Sequence, residues 1–149
     1  MTYNAFSMME NTLSNFGITI ESSGSERDQA CQILMRNGFG RYFLSDEVPT
    51  EERKDEIAEL SRRIKRFNPD LLTGDVWLEL ARVSFILGNL DTSREELKKA
   101  IEKTSPNDQA HRIALNCKAY LCTQLGRFRE AASSIREYAA LFETPLITE

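Results

Sequence analysis

The sequence predicts an all-α fold, an α-solenoid of antiparallel helical hairpins, on three observations. Gly88-Asn89-Leu90-Asp91 is echoed 38 residues later by Gly126-Arg127-Phe128-Arg129. Each glycine closes one amphipathic stretch, with apolar residues spaced by three and four, and another begins at once. No segment sustains the period-two alternation of a half-buried strand, and Ile18 to Ile20 is too short to count. Hairpins of this kind cannot bury their apolar faces alone and must stack, an arrangement expected of proteins that bind other proteins rather than of catalytic domains.

In chain order, Ala5 to Asn15 reads as a short helix, because Phe6, Met9, Leu13 and Phe16 recur at helical spacings, and Gly17 to Gly24 reads as a linker. Residues 1–24 are therefore expected to be an N-terminal segment, either loosely attached or briefly helical. Ser25 suits an N-cap, and Ala30, Ile33 and Leu34 supply a buried stripe until Asn37-Gly38 ends the helix. Residues 39–49 form a short helix or a packed connection. Thr50 caps a helix reaching about Phe67, with Ile57, Leu60, Ile64 and Phe67 on one stripe. Acids fill its first turns and bases its last, as the helix dipole prefers, and Asn68-Pro69 stops it. Residues 25–73 are thus a helical cap or a degenerate repeat. From Asp75 the pattern becomes regular, with helices to Leu87, from Asp91 to about Thr104, from about Asp108 to Leu125 and from Phe128 to about Phe142.

Composition narrows the function. The 149 residues suffice for one domain with a core that needs no disulfides. The net charge of −4 leaves no basic excess for a phosphate backbone, so no nucleic-acid partner is expected. No apolar run approaches the roughly 18 residues that span a bilayer, so membrane insertion is not expected. The 3 cysteines, the lack of an Asn-x-Ser/Thr acceptor and an N-terminus without a basic-then-apolar leader pattern point to a reducing, cytoplasmic setting.

Residues 74–149 resemble two copies of the tetratricopeptide repeat, a helix–turn–helix unit of about 34 residues. In the first copy Trp77, Leu80 and Ala81 stand at the family's Trp-x2-Leu-Ala spacing, Gly88 ends the helix, and Leu97, Ala100 and Pro106 follow. Ser84 replaces the preferred Tyr and Ser93 the preferred Ala. In the second copy Leu115 takes the Trp place, Lys118 interrupts the Leu place, Ala119 keeps the small residue and Cys122 replaces the Tyr. Gly126, Phe128, Ala131, Ile135 and Pro145 follow in order. Small residues such as Ala81, Ala119 and Ala131 would let helices approach, while Trp77, Leu97, Phe128 and Ile135 would fill the space between them. The 38-residue step implies roughly one extra helical turn, a longer loop or an extended third helix near Thr104 to Gln109.

The resemblance implies a concave groove lined by the first helices of the repeats. Its residues would be Leu78, Arg82, Phe85 and Ile86, with Asp75 beside them, and Ile113, Asn116 and Tyr120 from the second copy. This surface suits an apolar helix or extended segment of another protein better than an acidic tail. The family's Lys and Asn pair for a partner's terminal carboxylate is missing, with Leu78 and Arg82 in those places. The alternative is that the N-terminal helices or the chain's own tail fill the groove. The reading is an interaction adaptor or chaperone. One variant is a chaperone like those of type III secretion, similar in size and charge; another is a homodimer that uses the same apolar surface.

No catalytic residue, metal ligand or cofactor site is expected. Cys117 and Cys122, five apart on one helix, point about 140° from each other and make a poor metal pair. His111, the only histidine, lacks triad partners. Gly38-Phe39-Gly40 lacks a phosphate loop's further glycine and preceding strand. Arg62-Arg63-Ile64-Lys65-Arg66 reads as a helix C-terminus paired to Glu59, not as a nucleic-acid patch.

Overall fold

Capping chemistry sets the ends of the helices. The structure, a computed structural model, describes residues 26–36 and 47–143. Among these residues stand six α-helices and no strand: α1 (Glu26–Arg36), α2 (Glu51–Lys65), α3 (Gly74–Ile86), α4 (Leu90–Glu102), α5 (Gln109–Gln124) and α6 (Phe128–Glu143). A 3-10 turn, Pro69–Leu71, joins α2 to α3. The hydroxyls of Thr50 and Thr73 accept from the amides of Arg53 (3.1 Å) and Val76 (3.4 Å), satisfying first-turn donors that have no intrahelical partner. None of the described helices is long and apolar enough to cross a membrane.

The two echoed glycines do the same work. Gly88 and Gly126 adopt left-handed φ values of 82° and 75°, which an L side chain would strain. Asn89 then donates to the Ser84 carbonyl at 2.8 Å and Gly88 to Phe85 at 3.0 Å, and Arg127 to Cys122 and Gly126 to Thr123 repeat the pair at 2.8 and 3.1 Å. Both helices therefore end in the same two-bond cap, and the sequence echo is an echo of that geometry. α5 has 16 residues against 13 in α3.

Sequential helices pack as neighbours throughout. α3 lies against α4, α4 against α5 and α5 against α6, while α1 and α2 touch each other and both reach α3; α3 also meets α5. The core runs from Ala30, Ile33 and Leu34 of α1 and Ile57, Leu60 and Ile64 of α2 into Trp77, Leu80, Ala81, Val83, Leu97 and Ala100. The α3–α4 approach is close because small residues face each other. A methyl group on Gly74 would collide with Thr104 Cγ2 and sit 3.1 Å from the Ala100 carbonyl oxygen. Ser93, where the resemblance prefers Ala, donates from Oγ to the Ala81 carbonyl at 2.7 Å. Ser84, where it prefers Tyr, donates to the buried carboxylate of Glu96, whose other oxygen lies 2.7 Å from Lys65 Nζ on α2. Lys99 places its ammonium 4.4 Å from the Trp77 ring centroid.

The expected packing of α6 needs correction. Phe128 and Ile135 do not fill space between helices; they are 66% and 55% exposed, because Ala131 and Ser134 form the side of α6 that packs inward. The carboxylate of Asp108, just before α5, accepts from the Ser105 amide at 2.8 Å. The Ala5–Asn15 helix, the linker to Gly24, the Ser25 cap, Asn37-Gly38, residues 39–46 and Pro145 lie outside the described residues.

Arg94 of α4 grips Glu130 of α6 with two bonds, Nε to Oε2 at 2.8 Å and Nη2 to Oε1 at 2.6 Å. This fork holds the Glu130 carboxyl down at about 2. A depressed carboxylate contributes stability above its ordinary value of 4.5 and loses it as pH falls toward 2. Glu130→Gln is accordingly expected to lower stability at neutral pH and to flatten its decline below pH 4.5, read as urea midpoints along a pH series. Gly74→Ala should destabilise by about 1–3 kcal/mol through overpacking against α4, measured by urea denaturation at pH 7.

Candidate partner-binding groove

α3 and α5 supply the expected groove residues, and their contact brings part of the set together. The rings of Phe85 and Tyr120 meet edge to face, centroids 6.1 Å apart at 61°. Ile86 and Ile113 are half-buried and pack on the core cluster, and Asn116 is exposed. Tyr120 retains 37% exposure. Leu78 behaves differently: at 4% exposure it is core, with α1 packed on α3. At this end of α3 the neighbour is α1, while the Phe85–Tyr120 contact joins the two regular helices α3 and α5.

Between these parts lies a cavity of about 440 Å³ bounded by Met35 of α1, by Asp75, Leu78, Glu79 and Arg82 of α3, and by Asp108, Ala110 and Ile113 around the start of α5. Arg82 reaches one turn back to bond Glu79, Nη1 to Oε1 at 2.7 Å. Glu79 is 8% exposed, and its second oxygen has no hydrogen-bond partner among the described residues. Burial pushes its carboxyl above the usual range, Arg82 opposes the shift and Asp75 adds to it. The cavity wall thus combines an apolar floor of Leu78 and Ile113 with a half-buried ion pair and two further acids, Asp75 and Asp108. The i, i+3 spacing of Glu79 and Arg82 is visible in the sequence. The burial of Glu79 is not, since α1 and α5, distant in the chain, create it. A second cavity of about 520 Å³ lies between α1 and the start of α3, lined among others by Arg27, Asp28, Cys31, Leu72 and Val76.

The remaining reactive side chains have structural surroundings. Cys117 sits near Arg82 and Glu79, while Cys122 sits near Glu130, Lys118 and Arg94. The two therefore face different neighbours, as their spacing predicts, and burial raises both thiols away from the reactive thiolate. His111 bonds Thr104 across the α4–α5 connection, Nδ1 to Oγ1 at 2.9 Å. Arg62 and Arg63 both pair with Glu59, at 2.8 and 3.4 Å. No cluster of three or more metal-ligating side chains occurs among the described residues. Compared with protein families, curated proteins and solved structures, the chain matches none.

Proposed function

We propose that this protein is an interaction adaptor or chaperone of tetratricopeptide-like architecture that buries an apolar helix or extended segment of a partner protein along the α3–α5 face. The observation that carries the reading is the Phe85–Tyr120 contact, which joins aromatic side chains of two successive first helices into one surface element. The succession α1 on α3 and α3 on α5 supports it, because first helices that follow one another in space form a continuous wall. Ile86 and Ile113 extend the apolar area on this reading, while Arg82 and Asn116 fix the orientation of the occupant. Binding, not turnover, is the activity proposed.

Replacing Phe85 and Tyr120 together by Ala is the direct test. Partners captured by the immobilised chain and identified should bind the double variant at least about tenfold more weakly, since aromatic anchors carry most of the energy of such interfaces. Circular dichroism should show unchanged helicity. An identified partner that binds the folded double variant as tightly as the original chain sinks the groove reading.

A further inference from the structure

The cavity beside Leu78 and the Phe85–Tyr120 contact are two ends of one face. Leu78 and Ile113 line the cavity, Phe85 and Tyr120 touch, and both pairs are 35 residues apart in the chain, so α3 and α5 run side by side in the same direction. Seven residues of helix separate Leu78 from Phe85, a distance of about 10 Å. An occupant that lies along this face therefore reaches the cavity as well. At about 440 Å³ the cavity falls within the range of roughly 300–1,000 Å³ usual for ligand sites. Its apolar wall of Met35, Leu78 and Ile113 suits a hydrocarbon stem. Its polar wall is short of positive charge, with Asp75, Glu79 and Asp108 set against Arg82 alone.

The shortage is most acute at Glu79. The residue is more than nine-tenths buried, Arg82 satisfies one carboxylate oxygen, and the other has no hydrogen-bond partner among the described residues. Arg82 is itself shared, since it also lies near the Cys117 thiol. A buried carboxylate with one oxygen unmet carries a desolvation cost that a second cation nearby would offset. Asp75 and Asp108 are exposed and have no ionic partner among the described residues, so both add to the attraction. A carboxylate entering the cavity would meet three others, and an uncharged tip would leave Glu79 as it is. A bare metal ion fits poorly, because no group of three or more metal-ligating side chains occurs among the described residues. We infer that this cavity receives a Lys or Arg side chain of the protein segment that occupies the groove, its cation beside Glu79 and its stem along Leu78 and Ile113. The inference rests on the groove reading and adds a requirement on the partner, a basic residue about 10 Å from the apolar group that meets Phe85 and Tyr120.

The probe is a synthetic amphipathic helix of about 18 residues with a Leu stripe, a central Phe, and Lys about two turns to either side, so that one Lys meets the cavity whichever way the helix runs. Two companions carry norleucine, which keeps the stem without the charge, or Glu in place of both Lys. Titrated by fluorescence anisotropy against the full chain, the Lys peptide should bind about tenfold more tightly than the norleucine peptide, and the Glu peptide more weakly than either. Glu79→Gln should bring the Lys and norleucine peptides within about twofold of each other while the norleucine peptide binds as before; an unfolded variant would lose both. Asp75→Asn, at the exposed rim, should narrow the preference in part, and Glu137→Gln, which removes a charge on α6, should leave it intact. Equal binding of the two peptides, abolished by Phe85→Ala with Tyr120→Ala, would keep the groove and overturn the cation site. A preference that survives Glu79→Gln would place the cation elsewhere and also overturn it. Displacement of the Lys peptide by n-butylammonium at submillimolar concentration would assign the cavity to a free amine instead. Peptides that bind without Phe85 and Tyr120, or that do not bind at all, would remove the groove reading and this proposal with it.

Discussion

The close approach of α3 to α4 is the constraint from which the rest of the packing follows. Gly74, Ala81, Ser93 and Ala100 keep the facing surfaces small enough for the backbones to come near, and Trp77, Leu80 and Leu97 then fill the flanks. Once α3 is held this way, its other faces are available to α1, α2 and α5, all of which touch it. A larger residue at the α3–α4 seam would move the helix that α1, α2, α4 and α5 all touch.

Different forces hold the two sides of the molecule. The first helices, α1, α3 and α5, meet through apolar side chains such as Leu34, Leu78, Ala114 and Cys117. The second helices are linked by ion pairs: Lys65 of α2 to Glu96 of α4, and Arg94 of α4 to Glu130 of α6. The two serines that depart from the tetratricopeptide pattern belong to this scheme. Ser84 hands the buried Glu96 a hydrogen bond from α3, so that the carboxylate is shared by three helices, and Ser93 ties α4 to the α3 backbone. A buried carboxylate left without these partners would carry a large desolvation cost. The substitutions therefore form a matched set in which the position of each residue explains the others.

Much of this was legible in the chain. The glycine echo located two helix ends to within one residue, because a left-handed position favours glycine so strongly. Thr50 and the stripe Ile57, Leu60 and Ile64 located α2, since capping and periodicity are local signals. What periodicity misjudged is Phe128 and Ile135: the α6 stripe reads the same whether it packs on α5 or faces outward, and only the neighbouring Ala131 and Ser134 decide which arc is buried. The burial of Leu78 is not legible either, as α1, which packs on α3, comes from a distant part of the sequence. The Glu79 carboxyl, buried by those same distant helices, carries no local mark beyond its spacing to Arg82.

The proposed groove also has an electrostatic sense, which bears on how one small chain distinguishes its occupants. Around the cavity by α3 and α5 the acids Asp75, Glu79 and Asp108 outnumber Arg82, so an occupant gains by presenting hydrogen-bond donors or a cation beside its apolar face. Apolar area alone would not separate two helical ligands, because Leu or Phe is accepted equally by an apolar floor. Charge at the rim does separate them, at a cost of like-charge contacts to the wrong partner and with little loss of affinity for the right one. On this reading the acids near α3 are specificity elements, and the apolar residues beside them supply the binding energy.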